Sequence, residues 1–119
     1  MMTKERNPID WQALLKLTNN NPELAKELVT MLGNELPEMR DKINQAYENQ
    51  DYESLQNYVH QLHGSCCCTA AVILKEVSST LEDKLQLQDN DCLTELMPQL
   101  NAEIQRLILT INQPSLEYE

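Results

Sequence analysis

Residues 54–66 read Ser54-Leu55-Gln56-Asn57-Tyr58-Val59-His60-Gln61-Leu62-His63-Gly64-Ser65-Cys66, and no Asp, Glu, Lys or Arg occurs between Ser54 and Leu74. At the 24% content of charged residues in this chain, a stretch of that length should hold about five of them. Apolar residues recur within it at steps of three or four, at Leu55, Val59, Leu62 and Cys66. This spacing predicts an amphipathic helix with a buried seam and a neutral opposite face.

A longer apolar stripe precedes the neutral stretch. Asn21-Pro22 begins it with a helix N-cap and a proline at the first helical position. Pro37 lies inside the stripe, but the apolar positions keep their phase across it, so a bend near Gly33–Pro37 is expected rather than a break. The predicted inward positions are Leu24, Leu28, Leu32, Leu36, Met39, Ile43 and Ala46.

Two shorter segments flank these helices. A short helix is expected to begin near Ile9 and to end at Asn19-Asn20-Asn21. Asp51 is the expected cap of the helix in the neutral stretch, and Thr69-Ala70-Ala71 should turn into a fourth element that ends at Gln88-Asp89-Asn90-Asp91. The predicted inward positions are Ile9, Trp11, Leu14, Leu15 and Leu17 in the short helix, and Ile73, Val77, Leu81 and Leu85 in the fourth element.

The last helix carries an apolar stripe that alternates in fours and threes, with Pro98 expected in its first turn or at a small kink. Its inward positions are Leu93, Met97, Leu100, Ile104, Leu107 and Ile111. Four long amphipathic helices with short links predict an all-α fold, an antiparallel up-down four-helix bundle with an additional short N-terminal helix. Residues 8–112 should form this domain, with flexible ends at 1–7 and 113–119.

Composition excludes several classes of partner. The 119 residues suffice for one domain with a single core. The 19 acidic against 9 basic residues give a net charge of −10, which argues against nucleic acid and against an anionic membrane as partner. No segment approaches the ~20 apolar residues of a membrane span. Three of the four cysteines are consecutive, at Cys66-Cys67-Cys68, which is no disulfide framework and indicates a reducing cytoplasm.

His60 lies on the neutral face of the predicted helix. At about 100° per residue, its side chain points roughly 130° away from the buried seam, toward solvent. Gly64 lies nearly above it in the next turn, where a missing side chain leaves the imidazole open to a partner. His63, at the edge of the seam, could hydrogen-bond a group attached to His60. A neutral exposed imidazole has one nitrogen free to attack, and attack on an acyl phosphate would give a phosphohistidine.

Each of these features has an ordinary structural explanation when it is taken singly. An exposed helical histidine is most often solvated surface, Gly64 could serve close helix packing, and the neutral stretch could be a central buried helix. Their coincidence on one face favours the functional interpretation.

The motif His60-Gln61-Leu62-His63-Gly64-Ser65-Cys66 resembles the signature of the histidine phosphotransfer (HPt) family. In that signature a polar or basic residue stands three positions after the histidine, followed by glycine and small residues. Four further segments also fit the family pattern. They are Ile9-Asp10-Trp11-Gln12, Asn21-Pro22-Glu23-Leu24, Leu36-Pro37-Glu38-Met39-Arg40 and Leu81-Glu82. Over residues 8–112 the chain most resembles the C-terminal HPt domains of BarA/GacS-type hybrid sensor kinases.

The resemblance implies a phosphoryl carrier of a multistep two-component phosphorelay, without kinase activity of its own. His60 would accept the phosphoryl group from a receiver-domain aspartate and pass it to a response-regulator aspartate, with His63 as a supporting hydrogen-bond partner and Gly64 giving access. The chain would need no cofactor, because Mg²⁺ belongs to the receiver. It would work in the cytoplasm, alone or at the cytoplasmic end of a membrane-bound hybrid kinase. The receiver would dock on Gln56, Gln61, Leu62, Ser65 and Cys67.

The chain departs from the family pattern at several positions. His63 stands where many HPt domains have lysine, which indicates a neutral or pH-dependent donor instead of a fixed cation. Cys67 and Ala70 stand where glycines are common. Gln86, one turn after Glu82, replaces a basic residue of some relatives and removes a potential phosphate contact.

Other functions have weaker support. The histidines and the cysteines, Cys92 included, form no paired C-x₂-C motif, so a zinc site is disfavoured. A hydrolase is disfavoured because no acidic residue lies within a helical turn of His60 to orient it. No glycine-rich phosphate loop supports an ATP-using kinase. The remaining alternative is a helical adaptor that binds receiver or kinase domains without carrying phosphate.

Overall fold

The computed structural model describes residues 8–112, which form five α-helices and no strand. The helices are α1 (Trp11–Leu17), α2 (Pro22–Glu48), α3 (Tyr52–Thr69), α4 (Val72–Gln86) and α5 (Leu93–Ile111), with a 3-10 turn at Asn90–Cys92 before α5. From α2 to α5 each helix packs on the next, α5 closes the ring on α2, and α1 lies against α2 and α3. The predicted four-helix bundle with an additional N-terminal helix is confirmed. The ends predicted to be flexible, 1–7 and 113–119, lie outside the described residues.

Side-chain caps start the first three helices. The Oδ1 atoms of Asp10, Asn21 and Asp51 each accept a hydrogen bond from the backbone N–H three residues later, at 3.1, 3.1 and 3.2 Å. Each bond satisfies one of the helix's unpaired first-turn donors. The caps at Asn21 and Asp51 are confirmed. Helix α1 begins at Trp11, two residues after Ile9 and near the predicted start, because Asp10 is its cap and Ile9 is buried just before it.

The apolar stripes are confirmed in α3 and mostly in α5, and need correction elsewhere. In α2 the buried line begins with Ala25 and Val29, while Leu24, predicted to face inward, is 39% exposed. Leu17 of α1, also predicted inward, is exposed. Successive helical residues point about 100° apart, so a stripe set one position out of register moves a leucine from the seam to the surface. Half-buried positions pack around the core, among them Leu15, Leu28, Met39 and Ile111.

Helix α4 is rotated relative to its predicted setting. The buried positions are Leu74, Ser78, Leu81 and Leu85, whereas Ile73 and Val77 are half-buried on its flank. At about 100° per residue, this turns the inward direction of α4 by about 50° from the predicted one. Ser78 is tolerated in the core because its hydroxyl donates to the carbonyl of Lys75 at 3.1 Å.

Both prolines inside helices leave the helices unbroken. Helix α2 runs through Pro37, as predicted, and the bend near Gly33–Pro37 stays a prediction. Pro98 lies in the second turn of α5 and not in its first. Gly33 has a packing role, because a Cβ placed there would lie 2.9 Å from Cγ2 of Ile111.

The turn between α3 and α4 contains the expected Ala70. It adopts a left-handed conformation with φ of 54°, a backbone region that glycine enters more easily than alanine. The N–H of Asp10 donates to the carbonyl of Ala70 at 2.9 Å, so the start of α1 is tied to the end of α3. None of the helices between residues 8 and 112 has the length and apolar character needed to cross a membrane.

Candidate functional site

His60 lies in the middle of α3 on its outer face. The seam predicted for this helix is buried, with Leu55, Val59 and Cys66 fully covered. The side chain of His60 is 72% exposed. The prediction that its imidazole points to solvent is therefore confirmed.

The acidic partner of His60 comes from α4. Oε2 of Glu82 lies 2.5 Å from Nδ1 of His60, and the Glu82 side chain is only 13% exposed. The expectation that no acid orients His60 held for the neighbouring turns of α3, but the packed helices supply one. In the structure the side chain of Glu82 points about 70° away from the buried side of α4, whereas the predicted rotation of α4 would have it point about 120° away. Choosing the correct buried positions of α4 would therefore have placed Glu82 near the interface with α3.

His63 contacts the same carboxylate. Its Nδ1 lies 3.5 Å from Oε1 of Glu82, and its Nε2 lies 3.9 Å from Sγ of Cys67. The ring is partly exposed, as expected for the edge of the seam. The predicted hydrogen bond to a group on His60 stays a prediction, because the structural partner of His63 is Glu82.

Gly64 is exposed on the same outer face, one turn beyond His60. A Cβ placed on Gly64 would have no protein atom within 4 Å. Close helix packing therefore does not explain this glycine, in contrast to Gly33. The other predicted role, leaving space above the imidazole of His60, is compatible with this open position.

The residues predicted to bind a partner divide into exposed and buried positions. Gln61 and Cys67 are exposed, and Gln56 and Ser65 are half-buried. Leu62 is 1% exposed, so its assignment to the docking surface was wrong. Its place in the buried seam, 60° from Val59 on the helix, leaves it supporting that surface from beneath.

The cysteines of the motif have different environments. Cys66 is buried in the core, and this burial raises the pKa of its thiol to about 12. Cys67 and Cys68 are exposed free thiols. Within residues 8–112 no three His, Cys, Asp or Glu side chains are grouped as metal ligands.

The contacts distinguish the two ring nitrogens of His60. A carboxylate only accepts hydrogen bonds, so we assign the ring proton of neutral His60 to Nδ1, beside Glu82. Nε2 then carries the lone pair, and it has no hydrogen-bond partner among residues 8–112. The arrangement presents one unprotonated nitrogen to solvent and holds a negative charge behind the ring. It is chemically a nucleophile whose developing positive charge is stabilised in place.

The profile of the Hpt domain family matches residues 27–109, well over half of the chain. This chain therefore belongs to the Hpt domain family, the histidine-containing phosphotransfer modules of phosphorelays. The matched region includes α3 and α4, and with them both His60 and Glu82.

Particular relatives agree with this assignment. The chain is 30% identical over 95 residues to the signal transduction histidine-protein kinase BarA of Shigella flexneri and of Escherichia coli strain K12. Each match takes in 78% of this chain and 10% of BarA, so the chain spans about a tenth of the length of these relatives.

Two solved structures share the fold. The HPT domain of a sensor hybrid histidine kinase from Shewanella has a TM-score of 0.79 at 27% identity, covering 89% of this chain and 92% of its own. The histidine-containing phosphotransfer protein HptB of Pseudomonas aeruginosa PAO1 has a TM-score of 0.79 at 17% identity, covering 92% and 95%. The second likeness concerns the fold alone.

Proposed function

We propose that His60 is the phosphoacceptor of this Hpt domain, taking the phosphoryl group from a receiver aspartate and passing it to a response-regulator aspartate. One observation carries the proposal: Nδ1 of an exposed imidazole is held by a shielded carboxylate, and Nε2 is left free on a neutral helix face. His63, the second histidine of the chain, is far less exposed and faces Glu82.

The transfer step follows from this geometry. Nε2 of His60 attacks the phosphorus of the aspartyl phosphate, the N–P bond forms, and the P–O bond to the aspartate breaks and releases a carboxylate. The ring becomes positively charged as its lone pair enters the new bond, and Glu82 faces that charge across Nδ1. The reverse sequence, with a second aspartate as nucleophile, passes the group on. Because phosphoryl transfer depends on positioning and charge stabilisation, a partner that supplies the metal suffices to complete the site.

His63 acts in this scheme on the carboxylate. Its position 3.5 Å from Oε1 of Glu82 lets it hold one oxygen while the other faces His60. A largely buried carboxylate is costly without such partners. In this role His63 is a positioning residue that keeps Glu82 turned toward the acceptor.

The remaining parts of the phosphorelay belong to the partner. We place Mg²⁺ in the receiver, no cofactor in this chain, and no autonomous kinase activity in it. The free cysteines support a reducing cytoplasm as its location.

The test is transfer of label from a phosphorylated receiver domain in the presence of Mg²⁺. Acid-labile, base-stable label should move onto the wild-type chain and should be absent from His60→Gln, while His63→Gln should keep it. ATP alone should label none of these three proteins. Label on His60→Gln would reject His60 as acceptor, and receiver binding by an unlabelled wild-type chain would favour the adaptor.

A further inference from the structure

An apolar groove runs along the bundle between α2 and α3, and its lining includes Gly64, one helical turn beyond the candidate acceptor. Its walls include Leu28, Met31 and Leu32 from α2, and Gly64 and Cys68 from α3, around a volume of about 250 Å³. Met31 is 56% exposed. We call this feature the α2/α3 groove.

The α2/α3 groove is continuous with the acceptor site because Gly64 belongs to both. A receiver that brings an aspartyl phosphate to Nε2 of His60 must cover the outer face of α3, and Gly64 leaves room above the ring for it. Because Gly64 also lines the groove, a receiver in that position would extend over the groove. An exposed apolar groove beside such a contact is well suited to take an apolar anchor of the partner.

Glu35 is the single charged residue in the lining of the groove. It is exposed, its Oε1 accepts a hydrogen bond from the hydroxyl of Ser65 at 3.5 Å, and it forms no ion pair with a Lys or Arg among residues 8–112. The face of α3 beside it carries no charge from Ser54 to Leu74. Beside this neutral face of α3, a carboxylate without an ion-pair partner is a strong determinant of which partner fits, because like charges brought together at an interface are heavily penalised.

We propose that the α2/α3 groove is the specificity surface of this domain, and that Glu35 selects receivers whose contact surface carries a Lys or Arg beside an apolar anchor residue. The inference rests on the proposed function of His60 and adds the chemistry of the partner. The apolar anchor fills the groove next to Met31, and the basic side chain reaches Glu35 at its rim.

The experiment compares Glu35→Lys with Asp41→Lys against a panel of phosphorylated receiver domains. Asp41 is also exposed on α2 but lies outside the lining of the groove, so both variants change the net charge equally. For receivers that the wild type serves best, Glu35→Lys should lower kcat/KM for transfer about tenfold or more, whereas Asp41→Lys should change it less than about twofold. A receiver in which that Lys or Arg is changed to Glu should regain transfer with Glu35→Lys.

Binding separates this inference from the acceptor assignment. Affinity for the unphosphorylated receiver, measured by calorimetry, should fall in Glu35→Lys and stay unchanged in His60→Gln. Labelling of Glu35→Lys by phosphoramidate, a small donor that needs no docking surface, should equal that of the wild type. Equal losses in Glu35→Lys and Asp41→Lys, or a lack of rescue by every charge-reversed receiver, would overturn the role of Glu35 even where His60 carries the label.

Discussion

His60 of α3 and Glu82 of α4 face each other across the helix interface, with Nδ1 of the imidazole 2.5 Å from Oε2 of the carboxylate. The histidine is exposed and the glutamate is shielded. The pair therefore combines an accessible nucleophile with a fixed negative charge, and its consequences can be measured.

Removing the charge of Glu82 should slow transfer. In Glu82→Gln the rate from a phosphorylated receiver should fall about tenfold to a hundredfold, because the positive charge developing on the ring loses its carboxylate. Single-turnover kinetics measure the rate, and ¹⁵N NMR of His60 should show a smaller fraction of the Nδ1-protonated tautomer. The neighbouring exposed Asp83 offers a control, since Asp83→Asn should behave as the wild type. If Glu82→Gln kept the transfer rate and the ring tautomer of the wild type, the role of Glu82 as the carboxylate that stabilises His60 would be refuted.

The two glycines should respond oppositely to added bulk. Gly64→Ala should raise the free energy of unfolding by up to ~1 kcal/mol, because alanine is the better helix former and its Cβ meets no atom. Gly33→Ala gains the same helix propensity, but pressing its Cβ on the stiff, β-branched Ile111 costs about 1–3 kcal/mol, so the free energy of unfolding should fall by up to about 1 kcal/mol. Urea denaturation of the two variants checks the signs, and a loss of stability in Gly64→Ala would contradict the open site.

A long side chain at position 64 should obstruct the receiver while leaving the fold intact. In Gly64→Gln phosphotransfer should fall at least about tenfold, since the new side chain covers the space above His60. Circular dichroism should match that of the wild type. Unchanged transfer rates would show that this space is not used in docking.

Met31 should contribute to receiver binding. Met31→Glu should weaken the affinity for an unphosphorylated receiver about tenfold or more, because a charge replaces an apolar contact in the α2/α3 groove. Leu109 is a matched control, since it is 57% exposed against 56% for Met31 and lies on α5, which does not pack against α3. Leu109→Glu should therefore leave the affinity unchanged. Equal effects of the two substitutions would remove the groove from the interface.

The buried thiol of Cys66 should couple stability to alkaline pH. Its pKa is raised from 9.0 to about 12 by burial in the folded chain, so above pH 9.0 the unfolded chain loses a proton that the folded chain keeps. The contribution of this thiol to the free energy of unfolding is fully present below pH 9.0. It is lost as the pH rises toward about 12, by up to ~1.4 kcal/mol per pH unit. The difference in free energy of unfolding between the wild type and Cys66→Ala, measured by urea denaturation at each pH, should become smaller over that range. A difference that stays constant from pH 9.0 to about 12 would contradict the prediction.

Features that depend on residues within one or two helical turns could be predicted from the chain alone. The caps at Asn21 and Asp51, the seam of α3 and the exposure of His60 each follow from spacings along a single helix. The spacing also placed Leu62 correctly in the buried seam, and only the family resemblance assigned it to the docking surface. Side chains near the edge of the core were predicted less well, and Leu24 and Leu17 were misassigned. Their placement depends on which neighbour covers a given flank, and the period of one helix does not encode this.

The amino-acid order alone specified five helices, a neutral outer face on α3 and a histidine with a glycine above it, because helical geometry converts spacing directly into direction. The packed bundle specified the rest. It turned α4 so that Glu82 reached His60 from 22 residues away, and it set α2 beside α3 to form the groove with Glu35. Such contacts join residues on different helices, so they exist only once the helices have taken their rotations against a common core.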